Sequence, residues 1–269
     1  MTNVRYLCLV LLASGATDKG PCRPANEDCF AIDQPLGLCV VADGMGGHNA
    51  GEVASRMVVE GVVDHVRKAS HAANGINLDR PSLHPFGQDP AGSRVANLLR
   101  NAVLLAGVQI LETAVTTEHY AGMGTTVVAA QIIGNRLTVA HVGDSRLYRL
   151  GGGTLRLLTA DDSWMATVLA RDPAANADAY RHHPMRHALT NVVGGRARTN
   201  VHIVEDALED GDSLLLTTDG VHGVLEDDEL QGLLTRDRAP DAAATRIVRA
   251  ALARGARDNC TAIVAKYCS

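Results

Sequence analysis

The sequence predicts an α+β fold in which antiparallel sheets are covered by helices. Short apolar runs of strand-like composition come in pairs around tight turns, which is the pattern of β-hairpins. Two longer stretches place apolar residues at helical spacing. The regular alternation of strand and helix that builds a doubly wound parallel sheet is missing, and so is any internal repeat. We expect a single domain over residues 1–269.

The first half of the chain contains a predicted strand, a hairpin and two long helices. The strand lies in "VRYLCLVLLASGA", and the hairpin lies in "CFAIDQPLGLCVVADG" with its turn at 34–37. The helices lie in "GEVASRMVVEGVVDHVRKAS" and "RVANLLRNAVLLAGVQILETAV". The segment near 71–92 between them is rich in Pro, Gly, Asn and Asp, so we interpret it as an exposed loop insertion.

The second half begins with a predicted three-stranded meander. Its strands cover 125–133, 136–142 and 146–150, and glycine-containing turns separate them. The segment near 160–200 is polar, rich in histidine and irregular, and we expect short helices and a mobile flap there. The chain then continues with a strand, a helix and a last strand, in "DSLLLTTDG", "AAATRIVRAALARGA" and "DNCTAIVAKY".

Composition excludes some classes of function. The net charge is −5, with 25 basic and 30 acidic residues, so no basic excess suggests nucleic-acid binding. Aromatic residues make up only 3% of the chain, and the core must therefore consist of aliphatic side chains. None of the six cysteines forms a C-x-x-C pair, which favours reduced thiols in a cytoplasmic protein. They are Cys8, Cys22, Cys29, Cys39, Cys260 and Cys268.

The N-terminus allows two interpretations. Arg5 and the apolar stretch after it resemble a weak signal peptide. Cleavage after Ala16 would remove the predicted first strand, so we favour a retained strand and a cytoplasmic location. No other stretch approaches the roughly 18 apolar residues that a membrane span needs.

Carboxylates follow apolar strands at four places. They stand in Asp43-Gly44, Asp144-Ser145, Asp219-Gly220 and Asp258-Asn259, and a fifth acidic pair, Glu27-Asp28, follows Arg23. Any one of these is most simply a turn, because Asp and Gly are good turn formers. A cluster of carboxylates at neighbouring strand ends would repel itself in a low dielectric, and a bound cation is the usual remedy. Ligands that are all oxygen favour Mg²⁺ or Mn²⁺.

Six short motifs together resemble the metal-dependent protein phosphatases, the protein phosphatase 2C family, in its bacterial form. They are "RPANED", "DGMGGHNAGEVAS", "GMGTTVVAA", "AHVGDSRLYRL", "LLLTTDGV" and "RDNCTAIV", in the family's order over essentially the whole chain. The resemblance implies a four-layer αββα sandwich of two antiparallel sheets flanked by helices. It also implies hydrolysis of phosphoserine and phosphothreonine in proteins by a water that two metal ions activate.

The resemblance carries specific roles to residues of this chain. Asp43 would bridge two metal ions, and the carbonyl of Gly44 would bind one of them. Asp219 and Asp258 would bind the other ion. Arg23 stands where the family holds the substrate phosphate.

Three further carboxylates have weaker roles by the same resemblance. Glu27 and Asp28 would hold metal-bound waters. Asp144 would bind a third, weaker metal that it shares with Asp219.

The chain departs from the family pattern at two places. Eukaryotic members have a histidine after Asp-Gly as a candidate general acid, whereas this chain has Met45, and His48 is only a weak substitute. Many members have Asp-His-Ser where the flap begins, whereas this chain has Asp161-Asp162-Ser163. The remaining histidines are expected to be structural or solvated, among them His141, His182, His183 and His187.

Three functions compete. The leading hypothesis is a serine/threonine phosphoprotein phosphatase that acts on the substrates of a cognate kinase, as a monomer without nucleic-acid or membrane partners. The second is a catalytically silent phosphoprotein-binding regulator on the same fold, which would need broken metal ligands. The third is a hydrolase of small phosphate esters.

Overall fold

Two antiparallel sheets form the centre of the protein. The computed structural model describes residues 11–47, 50–70, 80–172, 180, 183–195, 198–236 and 239–269. The first sheet has five strands in the order β1-β11-β10-β7-β8. Its strands are β1 (Leu11–Asp18), β7 (Arg146–Gly151), β8 (Thr154–Leu157), β10 (Ser213–Thr217) and β11 (Cys260–Tyr267).

The second sheet has six strands, five of them in the order β2-β3-β5-β6-β9, with the short β4 paired to β3. They are β2 (Asp28–Asp33), β3 (Leu38–Met45), β4 (Gly124–Thr125), β5 (Val127–Ile133), β6 (Arg136–Val142) and β9 (His202–Ala207). The six described helices are α1 (Ala50–Ser70), α2 (Arg94–Thr116), α3 (Trp164–Arg171), α4 (Asp219–His222), α5 (Asp227–Arg236) and α6 (Pro240–Ala253).

Three apolar layers hold the sandwich together. The layer between the sheets contains side chains of both, such as Val41, Leu137 and Leu216. A second layer joins the second sheet to α1 and α2, and a third joins the first sheet to α5 and α6. The predicted α+β sandwich of four layers is therefore confirmed.

The predicted meander is wrong for its third strand. β5 and β6 pair as expected, but β7 leaves them and pairs with β10 and β8 in the other sheet. The chain crosses between the sheets at 143–145, where Gly143 has φ +93° and a Cβ would lie 2.6 Å from the Thr126 side chain. The free edge of β6 is taken instead by β9, a strand that the sequence analysis did not find.

The other predicted elements are present. β1 pairs with β11 over eight residues, while residues 4–10 of the predicted first strand lie outside the described part. The hairpin forms from β2 and β3 around a 3₁₀ turn at Gln34–Leu36. Of the loop insertion, residues 80–92 are described, with a 3₁₀ turn at Pro81–Leu83. The described part of the flap contains α3, and the mobility of the flap stays a prediction.

α2 satisfies the length and apolarity of a membrane span, which the sequence analysis did not expect. It is the one described helix that does so. Half of its most apolar window is buried inside the protein, where it packs against α1 and β6. The buried half of that window thus belongs to the core. The five cysteines in the described part of the chain are free thiols, as predicted, and Cys8 lies outside it.

Candidate active site

A cavity of about 220 Å³ lies where strands of both sheets end. Six of the seven predicted metal-site residues line it, together with Arg23. They are Glu27, Asp43, Gly44, Asp144, Asp219 and Asp258. The seventh, Asp28, is buried directly beside it. The fold therefore brings together residues from five separate motifs.

Asp43 is held by the neighbouring strand. It ends the buried part of β3, opposite Asp28 of β2. Its backbone N–H donates to Thr126 Oγ1 at 2.9 Å, and its carbonyl accepts from the Thr126 N–H at 2.9 Å. These two bonds leave the carboxylate directed at the cavity that it lines.

Gly44 is required by a close backbone approach. A Cβ at this position would lie 1.9 Å from the carbonyl oxygen of Gly51 in α1 and 2.8 Å from that of Glu27. The Gly44 N–H donates to the Glu27 carbonyl at 3.1 Å. Only glycine lets the end of β3, the start of α1 and the Glu27 loop meet at one point.

Asp219 follows β10 and begins the short helix α4. Asp43-Gly44 continues a strand and Asp219-Gly220 starts a helix, so neither is a hairpin turn, as predicted for Asp219-Gly220. The Asp219 and Asp43 carboxyls both line the cavity, and the charge of Asp219 adds to the rise in the pKa of Asp43. Its Oδ1 is buried and has no hydrogen-bond partner among the described residues.

Asp258 is placed by the loop before β11. The adjacent Asn259 accepts from the Glu27 N–H at 2.8 Å and donates to the carbonyls of Lys19 and Ala25. It thereby ties the end of the first sheet to the loop that carries Arg23. Nη2 of Arg23 lies 2.5 Å from Oδ2 of Asp258, at the exposed rim of the cavity.

Asp28 is fixed by two threonines of the opposite sheet. Its Oδ2 accepts from Thr218 Oγ1 at 2.8 Å and from Thr261 Oγ1 at 2.6 Å. Its Oδ1 is buried without a partner in the described structure. Burial raises the pKa of Asp28 to about 7, with Asp219 and Asp258 adding to the increase.

Asp144 reaches the cavity because the chain crosses between the sheets. Its side chain is buried, and burial together with the charge of Asp219 raises its pKa to about 7. Behind it, His222 contacts the Asp144 backbone and lies 2.8 Å from Thr217 Oγ1 through its Nδ1. His222 was not singled out from the sequence, although it directly follows the motif "LLLTTDGV" that carries Asp219.

The electrostatics of the cavity favour a cation. Burial raises the pKa of Asp43, Asp219 and Glu27, and neighbouring carboxylates raise all three further. Two buried oxygens have no partner among the described residues: Oδ1 of Asp219, which lines the cavity, and Oδ1 of Asp28, which is paired with the cavity residue Asp43. Oxygen donors with excess negative charge fit Mg²⁺ or Mn²⁺.

The carboxylates of the cavity suit a hydrated ion. Within the described residues, no three His, Cys, Asp or Glu side chains form a complete metal cage. Mg²⁺ usually keeps several waters and binds through only one or two carboxylates, so a hydrated site does not need such a cage.

Three residues bear on the missing general acid, which is the first departure from the family pattern. Met45 lines the cavity, whereas His48 lies outside the described residues. His187 is exposed, as predicted, but it also lines the cavity, which the sequence analysis missed. His187 belongs to the flap segment, which places it at the cavity. No periodic or turn signal in the polar segment marked this position.

The remaining predicted histidines lie away from the cavity. His141 is buried in β6, and His183 stacks on Trp164 with ring centroids 4.2 Å apart. His182 lies outside the described residues. Of the two aspartates where the flap begins, Asp161 pairs with Arg146 at 2.8 Å, and Asp162 bonds to three other segments.

Comparisons with known proteins agree with this geometry. A family profile described as protein phosphatase 2C matches residues 22–255. The serine/threonine protein phosphatase PstP of Mycobacterium tuberculosis is 32% identical over 258 residues, which are 96% of this chain and 45% of PstP. The serine/threonine phosphatase stp of Listeria welshimeri is 30% identical over 253 residues, which are 92% of each chain. This chain thus spans less than half of the mycobacterial relative.

Solved structures of PstP have the same fold. The crystal structure of PstP/Ppp superposes with a TM-score of 0.81 at 30% identity and covers 97% of this chain and all of PstP/Ppp as crystallised. A structure of the PstP catalytic domain in complex with two manganese ions gives a TM-score of 0.75 at 28% identity, with 97% and 99% of the two chains covered.

Proposed function

Because this chain belongs to the protein phosphatase 2C family, we propose that it is a metal-dependent serine/threonine phosphoprotein phosphatase. The observation that carries the proposal is the cavity itself. Five carboxylates line it, with raised pKa values at Glu27, Asp43, Asp144 and Asp219, and one guanidinium faces them. Phosphoryl transfer needs this combination of cation-binding oxygens and a phosphate-binding arginine.

The carboxylates have separate tasks in this proposal. Asp43, Asp219 and Asp258 hold the divalent ions, with the Gly44 carbonyl as a further ligand. When bound, two such ions supply a water of lowered pKa and neutralise charge on the phosphoryl group. Asp144 holds a third, weaker ion.

Glu27 and Asp28 orient water. Asp28 Oδ2 is already occupied by Thr218 and Thr261, so its free Oδ1 is the oxygen that can accept from a water. A fixed acceptor of this kind reduces the freedom of the water without contacting the metal.

Arg23 binds the phosphoryl oxygens. A guanidinium carries five N–H groups in a planar fork and can hold two phosphate oxygens at once. The contact to Asp258 orients the Arg23 side chain at the rim. Met45 carries no proton that could pass to the leaving oxygen, and His187 is the one imidazole among the described residues that line the cavity.

The proposal extends to partners and location. Proteins that carry phosphoserine or phosphothreonine are the substrates, and a cognate kinase supplies them. The domain over 1–269 acts as a monomer in the cytoplasm, without nucleic-acid or membrane partners. The net charge of −5 supports the absence of nucleic-acid partners. The free thiols support a location in a reducing compartment.

Turnover of a phosphoserine peptide and of free phospho-metabolites tests the proposal. We expect release of phosphate from a phosphoserine peptide in Mn²⁺ or Mg²⁺, none in EDTA, and none from Asp43→Asn in either condition. Free phospho-metabolites should react more slowly than the peptide. Peptide binding without turnover would instead identify a regulator, and faster turnover of the metabolites would identify a small-ester hydrolase. Full activity after exhaustive chelation would refute the metal mechanism.

A further inference from the structure

Asp162 lies where three segments of the protein meet. It precedes α3 at the beginning of the flap, which we define as residues 160–200, and its side chain is only 14% exposed. The sequence shows it only as a departure from the family's Asp-His-Ser. The structure surrounds it with hydrogen-bond donors from elsewhere in the chain.

The first contact joins Asp162 to the crossing between the sheets. The Gly143 N–H donates to Asp162 Oδ2 at 3.0 Å, and the Asp162 N–H donates to the Gly143 carbonyl at 3.0 Å. Gly143 packs against Thr126, whose hydroxyl accepts from the backbone of Asp43. Asp144 is the next residue in the chain. Asp162 thus touches the segment that places two of the cavity carboxylates.

The second contact joins Asp162 to the far limb of the flap. Nδ2 of Asn191 donates to Asp162 Oδ2 at 2.7 Å, and Thr190 donates its N–H and its hydroxyl to the Asp162 carbonyl at 2.8 and 2.9 Å. This limb carries His187 and Leu189, which line the cavity.

The third contact joins Asp162 to the second sheet. Nε2 of His202 lies 2.9 Å from Asp162 Oδ1. The His202 ring stacks on His141 of β6, with centroids 5.0 Å apart and planes inclined by 23°. His202 therefore has a fixed position from which to hold the carboxylate.

We propose that Asp162 is a positioning residue that sets the flap side of the cavity by holding its far limb on the crossing at Gly143. This deepens the proposed function, on which it rests. Three donors from three segments converge on one carboxylate, and only a carboxylate has acceptor sites for all of them. An imidazole at this position could not accept three hydrogen bonds. The anion is therefore required by Gly143, Asn191 and His202 together.

The position of the flap side of the cavity should affect the binding of large substrates most. A phosphopeptide bound at Arg23 must pass the wall that His187 and Leu189 form, whereas a small ester reaches the carboxylates without it. Of the three bonds that Asp162→Ala removes, the one from Asn191 joins Asp162 to the limb that carries this wall. Loss of one charge-assisted hydrogen bond corresponds to about a ten-fold change in an equilibrium constant. We expect KM for a phosphoserine peptide to rise about ten-fold in Asp162→Ala, and KM for p-nitrophenyl phosphate to change by less than about three-fold.

The chain contains its own reporter for this test. Trp164 is the single tryptophan, two residues from Asp162, and its backbone N–H donates to the Ala188 carbonyl of the far limb at 2.8 Å, while its ring stacks on His183 of the flap. Its emission therefore reports the flap alone. Asp206→Ala is the matched control, because Asp206 bonds to Arg149 and Arg156 away from the cavity. Asn191→Ala is a milder second variant: it keeps the contacts of Asp162 with Gly143 and His202, and it removes the far-limb contact together with the two bonds between Asn191 and Asn200.

The experiment compares emission, melting temperature and KM for both substrates in the Mn²⁺-loaded proteins. We expect Asp162→Ala and Asn191→Ala to shift Trp164 emission and raise peptide KM, while Asp206→Ala lowers only the melting temperature. Unchanged emission and peptide KM in both flap variants, with a melting shift like that of the control, would overturn the proposal. If wild type turns over no peptide, the proposed function fails by itself, and the emission of the variants still decides whether Asp162 positions the flap.

Discussion

The stability of the metal-free protein should fall as the pH rises from 5 to 8. The cause is the raised pKa of cavity carboxyls, of which Asp144 is the clearest because burial and the charge of Asp219 raise its pKa to about 7. A group with a raised folded-state pKa binds its proton more tightly in the folded chain. Its stabilising contribution is complete below its pKa in the unfolded chain and is lost as the pH passes its folded-state pKa.

The magnitude follows from the difference between the two pKa values. Asp144 changes from 3.8 in the unfolded reference to about 7 in the folded chain, which corresponds to about 4 kcal/mol at about 1.36 kcal/mol per pKa unit. About 3 kcal/mol of this falls between pH 5 and pH 8. Asp28 acts in the same direction. Both interact with Asp219, so their effects should sum to less than twice this amount.

Three histidines oppose the trend, because burial lowers the pKa of His65, His141 and His222. Burial, with His202 nearby, lowers the pKa of His141 to about 4. Its contribution is complete above its pKa in the unfolded chain and is lost as the pH falls toward 4, so it increases stability with pH up to about 6.5. In wild type alone, the free energy of unfolding therefore contains contributions that fall with pH and others that rise with pH. The difference between wild type and Asp144→Asn isolates the carboxyl.

Urea unfolding followed by circular dichroism, in EDTA at pH 5, 6, 7 and 8, measures this difference. Relative to wild type, Asp144→Asn should gain about 3 kcal/mol between pH 5 and pH 8. Saturating Mn²⁺ should remove the fall in wild type, because a cation favours the ionised carboxyls. Asp206→Asn serves as the control and should retain the fall. Parallel curves for wild type and Asp144→Asn, within about 0.5 kcal/mol across the range, would refute the reasoning.

Three substitutions test other parts of the cavity. Arg23→Ala should raise KM for a phosphopeptide more than it lowers kcat, because the guanidinium holds phosphate before and during reaction; steady-state kinetics showing the reverse would make Arg23 a stabiliser of the transition state. Gly44→Ala should lower the melting temperature and abolish turnover, since its Cβ would overlap the start of α1; native melting and activity would contradict the close approach. Thr261→Val should weaken Mn²⁺ binding about ten-fold, measured by calorimetry, because Asp28 loses its hydrogen bond from the Thr261 hydroxyl. Thr261→Ser keeps this hydroxyl and should keep the affinity for Mn²⁺. Equal affinities in the two variants would exclude this role.

Much of the fold was predictable because its signals are local. The periodicity of α1 and α2 and the hairpin of β2 and β3 depend on neighbours within a few residues. β9 and α5 were not predicted from the sequence. Each is short, and the half-buried pattern of β9 gives only a weak alternation of apolar and polar residues. Which sheet β7 would join could not be predicted, because a run of apolar residues reports burial and not the identity of the partner strand.

The sequence by itself determined the chemical character of the site. Aspartates at the ends of apolar strands, in six ordered motifs, indicated a carboxylate cavity with Arg23 beside it, because a strand end and a turn glycine are encoded within a few residues. Only the tertiary structure decided how those groups are held. Thr261 meets Asp28 across 233 residues of chain, and His202 meets Asp162 across 40. Such contacts leave no local pattern, since they form only after two sheets and a flap have packed together.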